Sequence, residues 1–323
     1  VDLATDGKLA QYVQNDVFHD RNCIVKNGAS SCSPTCRLAY DYACNTREDR
    51  PAPSSSPNRK PPYMDNATAQ NFIDLNTRFY AEHAASFSAT RSAPWEGWRH
   101  VADIAREHFG DTPAALRVFD LACGNLRFER FLAEQLPHTS LHVTAIDNCP
   151  ALAANMNELA RVDYHSADIL TALLAEDEYG SDDAIAGSRT PALDTAFPHA
   201  SCDLSVCFGF MHHVPGAKLR QAVLSRLIDA VRPGGIVVVS FWQFMNDERI
   251  ARKSARSLDL ALAQPPFAGF ASSSLEEGDH LLGWQANDAA FRYCHHFSTA
   301  EIDQLAASAS PLAAPIDTFS ADG

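Results

Sequence analysis

The stretch Leu116-Arg-Val-Phe-Asp-Leu-Ala-Cys-Gly-Asn-Leu-Arg-Phe-Glu-Arg-Phe-Leu132 decides the fold. Leu116 to Leu121 is an apolar run ending near Asp120, which reads as a buried parallel strand. A tight turn follows, Ala122-Cys-Gly-Asn125, and then Phe128, Phe131, Leu132 and Leu136 recur at helical spacing. A strand, a small-residue turn and a helix make one half of a nucleotide-type site. The helix N-terminus offers free N–H groups, and Gly124 lets a ligand approach the backbone closely. An ordinary strand-turn-helix has the same pattern, so the decision passes to the rest of the chain.

Ser140 to Asp147 is a second strand with an acidic end. Asp147 is placed either to accept hydrogen bonds from ribose hydroxyls or to cap a turn. Val162 to His165 reads as a third strand, and Asp168 with Ile169 beside it reads as an adenine contact or a helix cap. Cys202 to Val214 is a fourth strand and its exit loop. It puts His212 and His213 at the carboxyl end, where open α/β sheets bind ligands. That pair is a base, a substrate contact or a packing group. Leu219 to Val231 forms a helix, Arg232-Pro-Gly-Gly a turn, and Ile236 to Trp242 a fully buried fifth strand. Pro315 to Phe319 is a last strand.

Before the first strand, Phe72, Leu75, Phe79, Tyr80 and Ala84 set an amphipathic helix from Thr68 to about Ala85. Ser86 to Trp98 is a loop that packs as a lid or touches ligand, and Trp98 to His108 is a further helix. After the fifth strand, Arg249, Arg252, Lys253 and Arg256 form the most basic local run, either a phosphate contact or a solvated helix face. Phe291-Arg-Tyr-Cys-His-His-Phe297 is dense in aromatic and basic groups. Ser298 with Glu301 three residues on marks a capping box.

The chain has 323 residues and a net charge of −14, so any contact with RNA must come from a local patch. No stretch approaches the roughly 20 apolar residues that span a bilayer, and the first residues do not read as a secretory signal. Cys123, Cys202 and Cys207 fall within or beside apolar strands, which fits reduced thiols and a cytoplasmic location. Residues 1–63 read as a poorly ordered Cys/Pro/Ser-rich extension that closes on a Pro/Ser linker, with the domain running from Met64 to Gly323. Its Cys23, Cys32, Cys36 and Cys44 lack the twice-repeated short spacing of zinc knuckles, and no metal site is expected. Residues 176–200 read as a disordered-looking insertion.

The order βαβαβ, a strand with His-His, then Arg-Pro-Gly-Gly and an apolar strand, resembles the class I S-adenosylmethionine-dependent methyltransferases. A narrower set is similar to the tRNA wobble-uridine 5-carboxymethyl methyltransferases: Phe87-Ser-Ala-Thr-Arg91 with Pro94-Trp95, Met211-His-His213, and Arg292-Tyr-Cys-His-His-Phe297. This resemblance runs from about Asn71 to Phe319. It implies an α/β fold, a doubly wound and mostly parallel Rossmann-like sheet with helices on both faces, and S-adenosyl-L-methionine as cofactor. Phe119 to Asn125, including Asp120, Ala122, Cys123 and Gly124, would line the methionine part. Asp147 would take the ribose and Asp168 with Ile169 the adenine, with Asn148 and Phe208 completing the cofactor set.

The implied acceptor is a tRNA carboxylate, already ionised near neutral pH, so no general base is needed. Arg91 and Arg292 would orient and neutralise it, with His212 or His213 adding a hydrogen bond. The tRNA would meet Arg249, Arg252, Lys253 and Arg256, and eukaryotic relatives add a small activator subunit as a partner. The alternatives are a small-molecule O- or N-methyltransferase with His213 as base, and a cofactor-binding scaffold without turnover. Two departures stand out. Asp120-Leu-Ala-Cys-Gly-Asn-Leu keeps one glycine, Gly124, of Asp-x-Gly-x-Gly-x-Gly, and Arg292-Tyr-Cys-His replaces Arg-Tyr-Tyr-His. In the strand order 3-2-1-4-5-7-6, the last strand in sequence inserts between the fifth and sixth. None is recognisable here, so Ile316 to Phe319 is expected to lack a neighbour, and the chain to be truncated or frayed at its end.

Overall fold

The structure, a computed structural model, describes residues 19–27, 64–91, 93–111, 113–153, 161–179, 197–310 and 312–322. Strand β1 is His19–Asn27. Helix α1, Asn66–Ala89, starts where the Asp65 carboxylate accepts the Thr68 N–H at 2.8 Å. It runs one turn past the sequence expectation, so Phe87 and Ser88 are helical rather than looped. Helix α2 is Gly97–Phe109 and takes in Trp98.

The expected βα alternation then follows. Strand β2 is Ala115–Leu121, helix α3 Arg127–Gln135, and strand β3 Ser140–Asp147. Strand β4 is Val162–Ser166, helix α4 Ile169–Tyr179, and strand β5 Cys202–Cys207. Helix α5 is Ala217–Ala230 and strand β6 Val231–Trp242. Arg232-Pro-Gly-Gly is not a separate turn. It lies within β6 as an irregularity, with Gly234 at φ +82° and a register shift against β5 between Cys202 and Leu204. Of the expected insertion, residues 176–179 end α4, and residues 180–196 lie outside the described residues.

Helix α6, Glu248–Ala263, and the antiparallel pair β7, Asp279–Trp284, and β8, Asn287–His295, build a small second layer. It packs on α1 through Phe72, Leu75, Ala261, Leu281 and Tyr293. Helix α7, Thr299–Ser308, and strand β9, Ala313–Asp322, complete the chain. Ser298 caps α7 by accepting the Glu301 N–H at 3.1 Å, but Glu301 does not close the box. Its carboxylate is taken by His295, at 2.9 Å, and by Arg220, at 3.3 Å.

The main sheet has seven strands in the order β4-β3-β2-β5-β6-β1-β9. The first five are parallel, and β1 is antiparallel to both of its neighbours. This corrects two expectations. The gap between the fifth strand and Ala313–Asp322 is filled by His19–Asn27, and β9 pairs with it instead of fraying. These nine residues also correct the reading of residues 1–63 as poorly ordered; the Pro/Ser linker, Cys32, Cys36 and Cys44 lie outside the described residues. The physical reason is the pattern of β1 itself. Cys23 and Val25 enter the core on one face of the sheet, with α4, α5 and α7. Ile24 enters the core on the other, with α2 and α3. A strand apolar on both faces belongs inside a sheet.

No helix among the described residues is long and apolar enough to cross a membrane. Cys23, Cys123, Cys149, Cys202, Cys207 and Cys294 are buried free thiols.

Candidate active site

A cleft opens at the carboxyl ends of β2, β3 and β5, and is walled on its far side by α1 and β8. Its floor is the turn after β2. Ala122, Gly124 and Leu126, the positions at which the resembled motif has glycine, all hold left-handed φ, at +62°, +54° and +57°. The glycine-like backbone path therefore persists although two side chains were added, at some local strain. Leu126 absorbs its strain by full burial in the core shared with α2 and α3. At Gly124 no atom stands within 4 Å of where a Cβ would sit, so the backbone there is open to a ligand.

Asp147 ends β3 with both carboxylate oxygens on backbone amides, Gly124 N–H at 2.9 Å and Cys149 N–H at 2.7 Å. It thus ties two loops of the floor together, as the turn-cap reading expected, and still lines the cleft. Each oxygen keeps a lone pair for another donor. Burial raises its pKa, and the two amides act against that rise. Asp168 likewise caps its helix, accepting Thr171 N–H at 3.1 Å and Thr171 Oγ1–H at 2.8 Å, while remaining on the wall with Ile169. Asn148 donates to Thr77 Oγ1 at 3.1 Å and bridges the floor to α1. Asn125 donates to Ser88 Oγ at 3.2 Å. Phe208 packs against Phe128 with ring centroids 4.8 Å apart.

The opposite end is aromatic and cationic. Arg292 on β8 is buried, and its guanidinium carbon lies 5.5 Å from the Phe79 ring, 5.7 Å from Trp242 and 5.2 Å from Trp284. Among the described residues no carboxylate forms an ion pair with it, and its Nε has no hydrogen-bond partner. Arg91 lies over Phe87, at 4.7 Å. The structure thus brings Arg91, His212, His213 and Arg292 into one cleft with Asp120, Ala122, Cys123, Gly124, Asn125, Asp147, Asn148, Asp168, Ile169 and Phe208.

The two histidines differ. His213 Nδ1 lies 2.9 Å from the Tyr293 carbonyl, so Nδ1 carries the proton and donates. Nε2 is then an acceptor, and Tyr80 O–H donates to it at 2.7 Å. Asn76 braces the same strand, donating to the Tyr293 carbonyl at 3.1 Å and accepting its N–H at 2.8 Å. His212 leaves Nδ1 buried and unpartnered, its ring 4.8 Å from that of Trp242. Burial, together with the nearby cation Arg292, holds both below the ordinary imidazole value, His213 at about 3. Both rings are therefore neutral near pH 7. His212, His213 and Cys294 have donor atoms within 4.8 Å of one another. His213 has both nitrogens engaged by Tyr293 and Tyr80, and burial pushes the Cys294 thiol up to about 12.

Sequence reasoning missed Tyr80, Asn76, Cys149 and Arg127, all on the cleft wall, while Trp95 stands there as the lid-or-ligand loop expected. The helical stripe put Tyr80 on the buried face of α1, but spacing says nothing of a hydroxyl that ends on His213. The basic run on α6 lies at the surface, and each member has an intramolecular partner. Arg249 pairs with Asp247, Arg252 with Glu248, Arg256 with Asp288, and Lys253 donates to the Gln285 carbonyl at 2.6 Å.

An acidic floor beneath an open glycine turn suits a donor that carries a sulfonium, an ammonium and a ribose diol. Sheet order, turn and cleft define the class I S-adenosylmethionine-dependent methyltransferase fold. Residues 119–239 match the family described as methyltransferase domain, and this region is an S-adenosylmethionine-dependent methyltransferase domain. The chain is similar to tRNA (carboxymethyluridine(34)-5-O)-methyltransferase ALKBH8 of Macaca fascicularis, 23% identical over 219 residues, which cover 68% of this chain and 26% of that protein. The chain thus spans about a quarter of that relative's length. Among solved structures it is similar to 1,6-didemethyltoxoflavin-N1-methyltransferase of Burkholderia thailandensis, at 15% identity, 84% of this chain, 93% of that chain and TM-score 0.44. The amino pentose methyltransferase CalS10 of Micromonospora echinaspora is 16% identical over 75% of this chain and 95% of its own, with TM-score 0.37.

Proposed function

We propose that the chain esterifies a carboxylate, that of a modified wobble uridine in tRNA, using S-adenosylmethionine. The carrying observation is Arg292: a buried guanidinium on the cleft wall, ringed by Phe79, Trp242 and Trp284, with no carboxylate beside it among the described residues. A buried cation without a counter-ion is costly, and an anionic acceptor supplies the missing charge. The three sequence elements around Arg91, His213 and Arg292, and the partial likeness to ALKBH8, support tRNA as its bearer.

When bound, S-adenosylmethionine supplies an electrophilic methyl group on sulfur. Asp147 would accept from its ribose, and Asp168 with Ile169 would border its adenine. Arg292 and Arg91 orient the acceptor for in-line approach. His212 donates one hydrogen bond. No residue need remove a proton, because the acceptor arrives ionised. His213 holds Tyr80 and β8 in place and does not act as base, since its Nε2 is already filled. The buried free thiols fit a reducing compartment, which supports a cytoplasmic location.

A second reading has its own support. The four basic residues of α6 each have an intramolecular partner, and the chain's net charge of −14 repels a polyanion. This favours a small carboxylic acid as acceptor. Transfer of labelled methyl to bulk tRNA, followed by mild alkali, separates the two. Alkali-labile label on tRNA supports the first, alkali-stable label excludes an ester, and absence of label with turnover on small acids supports the second.

A further inference from the structure

Glu129, on α3, is fully buried, and neither of its carboxylate oxygens has a hydrogen-bond donor among the described residues. What it faces is a second carboxyl, Asp120, itself 3% exposed and on the cleft wall. Two carboxyls in contact, one of them fully buried and without a donor, cannot both stay ionised. A single proton between them resolves this, because one then donates O–H to the other.

The surroundings reinforce the point. Asp147 on β3 adds negative charge, Cys123 and Cys207 are thiols that burial and Asp120 push up, and among the described residues Arg130 is the cation acting on Glu129. That arginine is turned partly to the Asn125 carbonyl, at 2.6 Å. Burial raises both carboxyls, and each feels the other.

We propose that Asp120 and Glu129 hold one proton between them while the cleft is empty, and release it to solvent when the cationic cofactor binds. The proposal rests on the cofactor occupying the cleft. S-adenosylmethionine carries a sulfonium, an ammonium and one carboxylate, and so is a net cation; S-adenosylhomocysteine has lost the sulfonium and is net neutral. A cation over Asp120 favours the doubly ionised pair, and a neutral product favours it less. The pair thereby separates substrate from product by charge, and Glu129 is a positioning residue acting through Asp120.

Isothermal titration in phosphate, Hepes and Tris at one pH gives the protons exchanged from the dependence of heat on buffer ionisation enthalpy. Release of about one proton is expected with S-adenosylmethionine, with affinity rising up to about tenfold per pH unit, and clearly less with S-adenosylhomocysteine. Glu129→Gln gives Asp120 an amide donor in place of the shared proton. It is expected to keep cofactor binding and lose both the proton release and the pH slope. A buffer-independent heat in the unaltered chain overturns the proposal, as does undiminished release from Glu129→Gln. Should that variant fail to fold, equal proton counts for the two ligands overturn it. Absence of any S-adenosylmethionine heat is a separate result, which removes the cofactor reading itself.

Discussion

The phenol of Tyr80 donates to Nε2 of His213 at 2.7 Å, and the direction of that bond is fixed by the Tyr293 carbonyl on the far side of the ring. A histidine so held has no lone pair left for a substrate proton. At saturating S-adenosylmethionine, turnover is therefore expected to stay flat from pH 6 to 8; an inflection there with an apparent pKa of about 6–7 would restore the His-base alternative. Tyr80→Phe leaves Nε2 buried without a donor and is expected to lower unfolding free energy by about 1–3 kcal/mol in urea titration.

Arg292→Lys replaces a fork by a point charge inside an aromatic cage. Turnover is expected to fall about 100-fold or more with S-adenosylmethionine affinity within about twofold. Arg91→Lys should behave similarly but more mildly. Unchanged turnover in either would remove that residue from the acceptor site.

Asp147→Ala takes away an acceptor from the Gly124 and Cys149 amides and, on the proposed reading, from the ribose. Cofactor affinity should drop at least about tenfold, which is about 1.4 kcal/mol. Asp147→Asn can keep one of the amide bonds and should lose less. Equal affinity in all three proteins, by titration, would place the ribose elsewhere.

Stability should fall as pH is lowered below about 6.5, the unfolded imidazole value. His213 has a folded pKa of about 3, depressed by burial. The unfolded chain therefore takes up its proton first, and the stability that is complete above pH 6.5 is lost towards pH 3. Each such group contributes a slope of about 1.4 kcal/mol per pH unit. His213→Gln should remove one such increment between pH 5 and 6; an identical acid slope in the variant would mean that His213 is not buried neutral.

Ile24→Ala, in the middle of β1, should cost about 2–5 kcal/mol in denaturant titration, since Ile24 is fully buried against β6 and β9. A cost under about 0.5 kcal/mol would mean that His19–Asn27 is not an inner strand.

The inner parallel strands were legible from their apolar runs, as in Ile236 to Trp242. The turn after β2 was legible from Asp120 and Gly124 alone, although Ala122 and Leu126 hide the glycine pattern; their left-handed backbone is visible only in the fold. Strand β1 escaped because Asn22-Cys-Ile-Val-Lys26 is short and its partners lie more than two hundred residues away in sequence. No local period reports such pairing. Asp168 shows the reverse case: it caps its helix, as one of its two readings expected, and also stands on the cleft wall. The fate of the basic run was also out of reach, since Asp288 meets Arg256 only once β8 folds against α6.

Strand β1 has a consequence for synthesis. It leaves the ribosome before any other part of the sheet, yet the edge of β6 that it joins is made long afterwards, and β9 can dock only on β1. The earliest strand is thus among the last to be seated, which predicts slow closure of the sheet. Until then an apolar Cys23-Ile-Val25 segment is exposed to intermolecular pairing, with Asp20, Arg21 and Lys26 at its flanks as the charges that discourage it.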